Sequence, residues 1–297
     1  MTAVAKQHHI DVPHGDGTVQ LGYLEWGDSG AARTALCIHG ISRNAHDFNW
    51  LGRELAKAGW RVIAIDMVGR GASQWLDDPA GYAVPSYIQH IAHVATTLEL
   101  GEVDWIGTSM GGMIGMVAAS VGAISMRRLV LNDIGPFIAS DVIAGIIERT
   151  GEAPVFKDED AIKGFLMERF TPFGPVTDQQ WSYFAHHSGR RDEHGDLRLA
   201  CDPDVVVPLV SQATGDADLW EVYDAIKVPT LVVRGGESEV LDQATAEAMM
   251  TRGPRATLVT FHGITHPLWL TDDEQMHLVR DWLEGHPLSE DRLAAES

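Results

Sequence analysis

The chain has 297 residues, 45% of them hydrophobic and 22% charged, proportions of a globular protein able to bury one large domain or a domain with an insertion. Its 42 Asp and Glu against 22 Lys and Arg leave a formal charge of -20. No basic surface is then available to displace phosphate counterions, which excludes nucleic acid and anionic membranes as partners. Two cysteines, Cys37 and Cys201, make no disulfide framework. Residues 1–12 lack a signal-like apolar core and no run approaches the ~18 apolar residues of a membrane span, so a cytoplasmic chain is expected.

The first clear element is the strand Ala35-Leu36-Cys37-Ile38, which ends at His39-Gly40. Helical spacing follows over residues 48–58, stopped by Gly59, and residues 61–65 read as a second strand closed by Asp66 and a turn with Gly69 and Gly71. A helix is predicted over 87–98, a strand over 103–106, an apolar helix over 113–119 and a strand over 128–132. From about 137 to 224 this rhythm breaks: prolines are scattered and a helical stretch stands at 161–170. A segment of that length is too long for a loop, so we expect an inserted, mainly helical cap, with 1–136 and 225–297 as the core. The rhythm returns with a strand at 229–233, a helix over 243–250, a strand over 256–261 and an amphipathic helix over 272–283; the tail 289–297 is expected to fray. Such alternation predicts an α/β protein whose mostly parallel central sheet carries helices on both faces.

Between the strand at 103–106 and the helix after it stands Gly107-Thr108-Ser109-Met110-Gly111-Gly112. A strand turning straight into a helix brings two backbones close, so small residues are required two positions before and after the turning residue, here Ser109. The first N–H groups of the following helix point back towards that serine, making Met110 N–H an oxyanion donor. A hydroxyl is a weak nucleophile near neutral pH and needs a base and an acid to orient it. His266, in the loop Phe261-His262-Gly263-Ile264-Thr265-His266-Pro267, is the better-placed base, and His262 the weaker one. Two carboxylates obey the order serine, acid, histidine: Asp133 after the strand 128–132, which we favour, and Glu239 in Arg234-Gly235-Gly236-Glu237-Ser238-Glu239, displaced by one from the commonest acid position, which Ser238 occupies. A second oxyanion donor is expected at Ile41, where Gly40 lets the backbone approach, with His39, Asp66 and Arg70 as scaffold.

In order and spacing, His39-Gly40, Asp66 with Gly69-Arg70-Gly71, the glycine-fenced serine and Gly263-Ile264-Thr265-His266 resemble the α/β-hydrolase superfamily from about residue 20 to 285. The run 129–136 is similar to capped esterases and thioesterases whose acid follows the sixth strand, which implies Asp133. Haloalkane dehalogenases and epoxide hydrolases carry aspartate where Ser109 stands; a serine implies an acyl-enzyme. The first expectation is therefore a carboxylic-ester hydrolase acting on a small-molecule ester, with thioesters and lactones open to the same machinery. The second is hydrolysis of a carbon–carbon bond in an anionic ring-cleavage product, for which Arg43, Arg190 or Arg191 would supply positive charge. The third is a non-catalytic binding member of the fold. Gly40, Phe137, Trp181 and Phe184 are expected against substrate, and Tyr183, Trp220 and Tyr223 add apolar surface to the cap. His186, His187 and His194 have no spacing that converges them on a metal, and no cofactor is expected. Oligomeric state is not expressed in the pattern.

Overall fold

Ala35 and Cys37 face one side of their strand, Leu36 and Ile38 the other, and all four are fully buried. A strand that is apolar on both faces belongs inside a sheet covered on both sides. The computed structural model, which describes residues 4–170, 174–210 and 215–288, has that architecture; the predicted frayed tail lies outside the described residues. In chain order the elements are β1 (Lys6–His14), β2 (Gly17–Trp26), β3 (Arg33–Ile38), α1 (Asn49–Lys57), β4 (Trp60–Ile65), α2 (Val84–Thr97), β5 (Val103–Thr108), α3 (Met110–Val121) and β6 (Met126–Asn132). Then come β7 (Phe137–Ile138), α4 (Ser140–Thr150), β8 (Val155–Phe156), α5 (Glu159–Phe170), α6 (Asp178–Ser188), β9 (Gly189–Arg191), β10 (Leu197–Leu199), α7 (Val207–Val210), β11 (Ala217–Asp218) and α8 (Trp220–Ala225). The chain closes with β12 (Thr230–Gly235), α9 (Gln243–Met249), β13 (Thr257–Phe261) and α10 (Asp273–Glu284).

Eight strands form one sheet in the order β1-β2-β4-β3-β5-β6-β12-β13. Only the pairings β1 with β2 and β2 with β4 are antiparallel. Residues of α2, α3, α8 and α9 pack on one face and those of α1 and α10 on the other. From β3 the chain runs to β4 on one side and returns to β5 on the other side of β3, so a crevice opens at the carboxyl ends of β3 and β5. Residues 133–229 run between β6 and β12, which are neighbours in the sheet. The insertion combines α4–α8 with two small sheets, β7 with β11 and β8-β10-β9.

The β1–β2 hairpin escaped the sequence reading. β1 (KQHHIDVPH) is an edge strand with one fully buried side chain, Val12, so its apolar alternation is faint. Helix α2 starts three residues before its predicted beginning, because Pro85 in its first turn gives up an N–H that has no helical partner there. No helix among the described residues is long and apolar enough to cross a membrane.

Candidate active site

The serine turn is set by close approach. A Cβ on Gly107 would stand 2.3 Å from Gly111 O, one on Gly111 2.0 Å from Ile38 O, and one on Gly112 2.4 Å from Ile134 Cγ2. Only glycine fits at all three. Ser109 sits between β5 and α3 at φ 50 and ψ -115, a conformation an L-residue keeps only when its surroundings over-determine it. Here they do: its N–H donates to Asn132 O (3.0 Å), and its carbonyl accepts from Gly112 and Met113 N–H (2.9 and 3.0 Å). The hydroxyl is left facing the crevice.

Asp133 follows β6 with φ 56 and is completely buried. Its N–H donates to Val233 O (2.8 Å), and its Oδ1 accepts from Gly235 N–H (2.9 Å). Its Oδ2 lies 2.8 Å from His266 Nδ1, while His266 Nε2 lies 2.9 Å from Ser109 Oγ. A carboxylate at Nδ1 selects the tautomer with Nδ1–H, which leaves the Nε2 lone pair for the serine proton. The geometry separates the two acids. Glu239 is exposed, with no hydrogen bond or ion pair among the described residues. Ser238, at the commoner acid position, caps its turn by accepting from Val240 and Leu241 N–H (3.2 and 3.1 Å). His262 is exposed and does not line the cavity.

Gly40, Ile41 and Met110 line the same cavity as Ser109 and His266. Neither Ile41 N–H nor Met110 N–H has an acceptor among the described residues. A Cβ on Gly40 would meet Ser109 Cβ at 3.7 Å, an ordinary contact, so this glycine keeps space open above the serine and relieves no clash. His39 is pinned on both nitrogens, donating from Nδ1 to Gly40 O (2.7 Å) and accepting Met67 N–H at Nε2 (2.9 Å). Burial holds its pKa down at about 3, so it stays neutral and structural. Asp66 accepts from Ala45 and Ala72 N–H (2.7 and 2.9 Å), and burial pushes its carboxyl up to about 6.

Arg70 is more than scaffold at a distance. Fully buried and without a carboxylate partner among the described residues, it donates through Nε to Ile41 O (2.9 Å) and through Nη1 to Val68 O (2.8 Å) and Tyr87 Oη (2.7 Å). Its Nη2 lies 3.5 Å from Met110 Sδ. It thus contacts both residues expected to supply the oxyanion donors.

The cavity, about 420 Å³, runs from Ser109 up to the insertion, which contributes Ile138, Ile143, Ile146, Arg149, Arg169 and Leu209. Of the residues expected against substrate, Gly40 lines it and Phe137, Trp181 and Phe184 do not. Phe184 stacks on Trp269 (4.4 Å between centroids) and Trp181 meets the same indole edge-on (5.4 Å), so both are consumed in packing. Phe137 is held in the β7–β11 pairing opposite Asp218. Among the three arginines considered for an anionic substrate, Arg190 lies over Trp75, Arg191 is exposed and bonded to Gly195 O, and Arg43 lines the cavity but is bound to Asp47 (2.6 Å). The cavity arginines that sequence reasoning missed are Arg149 and Arg169. The available signal was the apolar repeat Val142, Ile143, Ile146, Ile147, which marks α4 as a lining helix with Arg149 at its end.

His187 stacks on His46, which bonds Tyr183 Oη (2.8 Å), while His186 pairs with Glu159 and His194 with Glu193. The metal-like grouping found among the described residues is elsewhere, at Asp281, Glu284 and His286. Both cysteines are free and buried.

Comparison with known proteins agrees with this architecture. The chain is 33% identical over 277 residues to a 3-hydroxybutyrate-oligomer hydrolase of Cupriavidus necator, covering 91% of this chain and 94% of that one. It is 28% identical over 231 residues to an esterase of Mycobacterium tuberculosis, covering 75% and 72%. An α/β hydrolase of Novosphingobium aromaticivorans superposes with a TM-score of 0.80 at 29% identity, over 95% of this chain and 99% of that one. The family model described as serine aminopeptidase, S33, matches residues 30–274. With that match spanning the serine turn, Asp133 and His266 alike, the chain belongs to this family of the α/β-hydrolase superfamily and is a hydrolase.

Proposed function

We propose that the protein is a carboxylic-ester hydrolase working through an acyl-enzyme on Ser109, with residues 137–224 as the cap that selects the ester. What carries the reading is the hydrogen-bonded series from Asp133 Oδ2 through both ring nitrogens of His266 to Ser109 Oγ, beside two N–H groups without acceptors. Ser109 Oγ attacks the ester carbonyl carbon while His266 Nε2 takes its proton, and Ile41 and Met110 N–H hold the oxyanion. Collapse expels the alcohol, which receives the proton from Nε2. Water then gives a proton to Nε2 and its oxygen to the acyl carbon, and breakdown releases the acid and restores the serine hydroxyl.

The apolar walls and volume suit small acyl and alcohol groups. The oligomer-hydrolase relative supports one substrate class in particular, short ester oligomers of small hydroxy acids such as 3-hydroxybutyrate. Peptide cleavage at an amino terminus fits less well. An ammonium group wants an unpaired carboxylate, and Asp47, the carboxylate lining the cavity, is engaged by Arg43. A second reading, carbon–carbon hydrolysis of an anionic ring-cleavage product, is favoured by the arginines in the cavity wall.

The test combines intact-protein mass after a fluorophosphonate with p-nitrophenyl butyrate kinetics for wild type and Ser109→Ala. Labelling at Ser109 and a p-nitrophenolate burst, with S109A about 10³-fold slower or worse, support the ester reading. Labelling without ester turnover shifts the case to the carbon–carbon reading, and absence of labelling defeats the acyl-enzyme.

A further inference from the structure

We propose that Arg149 and Arg169 form a carboxylate subsite at the cap end of the catalytic cavity, so that preferred esters carry a free carboxylate away from the scissile bond; this rests on the ester reading above. The starting observation is the sign of the cavity. In a chain of formal charge -20, four arginines and one aspartate line it. An anion entering so acidic a protein is repelled unless the site itself supplies positive charge.

Two of the four arginines are already accounted for. Arg43 is bound by Asp47, and Arg70 is spent on carbonyls and a tyrosine hydroxyl beneath the oxyanion donors. Arg149 ends α4 with its guanidinium exposed over Gly145, and it has neither an ion pair nor a side-chain hydrogen bond among the described residues. Arg169 ends α5 and is mostly covered. Its Nη2 donates to Arg149 O (2.8 Å), tying the two helix ends together, and its carbon stem and guanidinium pack on Phe165 (5.1 Å to the ring). Its one acidic neighbour, Glu152 (3.2 Å), is half-exposed, so water screens that pair and leaves Arg169 only partly neutralised.

Both arginines line the catalytic cavity and also an adjoining recess of about 20 Å³ that includes Thr150 and the half-exposed Glu152. They stand where the two meet. A basic residue in the last turn of a helix is ordinary. Two such turns bonded together on the wall of one cavity, with one cation unpaired, need a further reason. A planar guanidinium paired with a carboxylate gives the strong, directional contact that would supply it.

The experiment compares the linear dimer of 3-hydroxybutyric acid with its terminal amide, which differs only in the charge of the terminal group on the alcohol side of the ester bond. For wild type we expect kcat/KM for the acid to exceed that for the amide by about tenfold, with the preference shrinking as salt rises. In Arg149→Gln, and more so in R149Q/R169Q, the ratio should fall to about one, with Arg149→Lys in between. A wild-type ratio near one, or a ratio unmoved by R149Q, overturns the subsite. Calorimetric binding of the same pair to Ser109→Ala reads the subsite without turnover. A tenfold preference for the acid that R149Q abolishes upholds it even if the ester mechanism fails, and equal binding of acid and amide defeats it even if esters are cleaved.

Discussion

Asp133, buried behind His266, and Arg149, on the wall of the cavity that His266 also lines, are held in opposite ways. The aspartate is completely buried, its φ of 56 locked by its own N–H to Val233 O and by Gly235 N–H on its carboxylate. The arginine sits on a helix with one buried side chain, Ile143, in a segment whose strands are two or three residues long. Groups at the rims of β5, β6 and β13 are positioned by main-chain bonds of a covered sheet, and those of the insertion by side-chain packing on separate short elements. The first arrangement resists change and suits chemistry that needs one geometry. The second can be repacked without disturbing the triad, which is how one sheet serves many substrates.

The contrast is most sharply tested at the acid. Replacing Asp133 by Asn should lower kcat by about 10³–10⁴-fold, because the amide favours the wrong imidazole tautomer, whereas Glu239→Gln should stay within about twofold. The reverse order in steady-state rates would move the acid to the end of β12 and break the picture of a backbone-locked floor.

A smaller effect is expected at Arg70, which touches Ile41 O and Met110 Sδ and which we propose positions the two oxyanion donors. Arg70→Met should cost about 10–100-fold in kcat with little change in KM. A boronate analogue of the tetrahedral intermediate should lose affinity in step with kcat. If KM rises while the boronate binds as before, Arg70 serves folding alone. Arg70→Lys, which restores one donor, guards against a variant that merely fails to fold.

The smallest effect belongs to the contact between the two regions. His46, before α1, stacks on His187 of α6 at 3.5 Å, and Asn44 Nδ2 donates to His187 O (2.9 Å). Burial holds His46 down at about 3 and His187 at about 4, each helped by neighbouring histidines. In the unfolded chain both take up protons near pH 6.5, so between there and their folded values the unfolded state binds more protons and stability falls as pH falls. From pH 7 to pH 5 this amounts to about 1–2 kcal/mol for His46 and less for the partly exposed His187, which water screens, together a few degrees in Tm. H46Q/H187Q should flatten the thermal midpoint against pH over that window; an unchanged slope would assign the acid sensitivity to other buried histidines, such as His90.

Much of the floor was legible in the residues. Glycines fencing Ser109, a histidine leaving the last strand and an aspartate ending β6 are each demanded by local backbone geometry, and local geometry is written in local sequence. The hairpin β1–β2 was not legible, since an exposed edge strand carries little apolar alternation. Nor was the lining of the cavity. Trp181 and Phe184 look like substrate contacts in a composition of aromatics, yet Trp269, 88 and 85 positions further along the chain, takes up their faces.

The sequence by itself determined the α/β class, the serine turn and the pair of carboxylates open to His266, because spacing and residue size decide them. Tertiary structure alone decided that His266 Nδ1 meets Asp133 and not Glu239, and that Arg149 and Arg169 line the cavity while Arg190 and Arg191 do not. Those outcomes depend on where elements far apart in the chain come to rest, and no period of 2 or 3.6 residues encodes that.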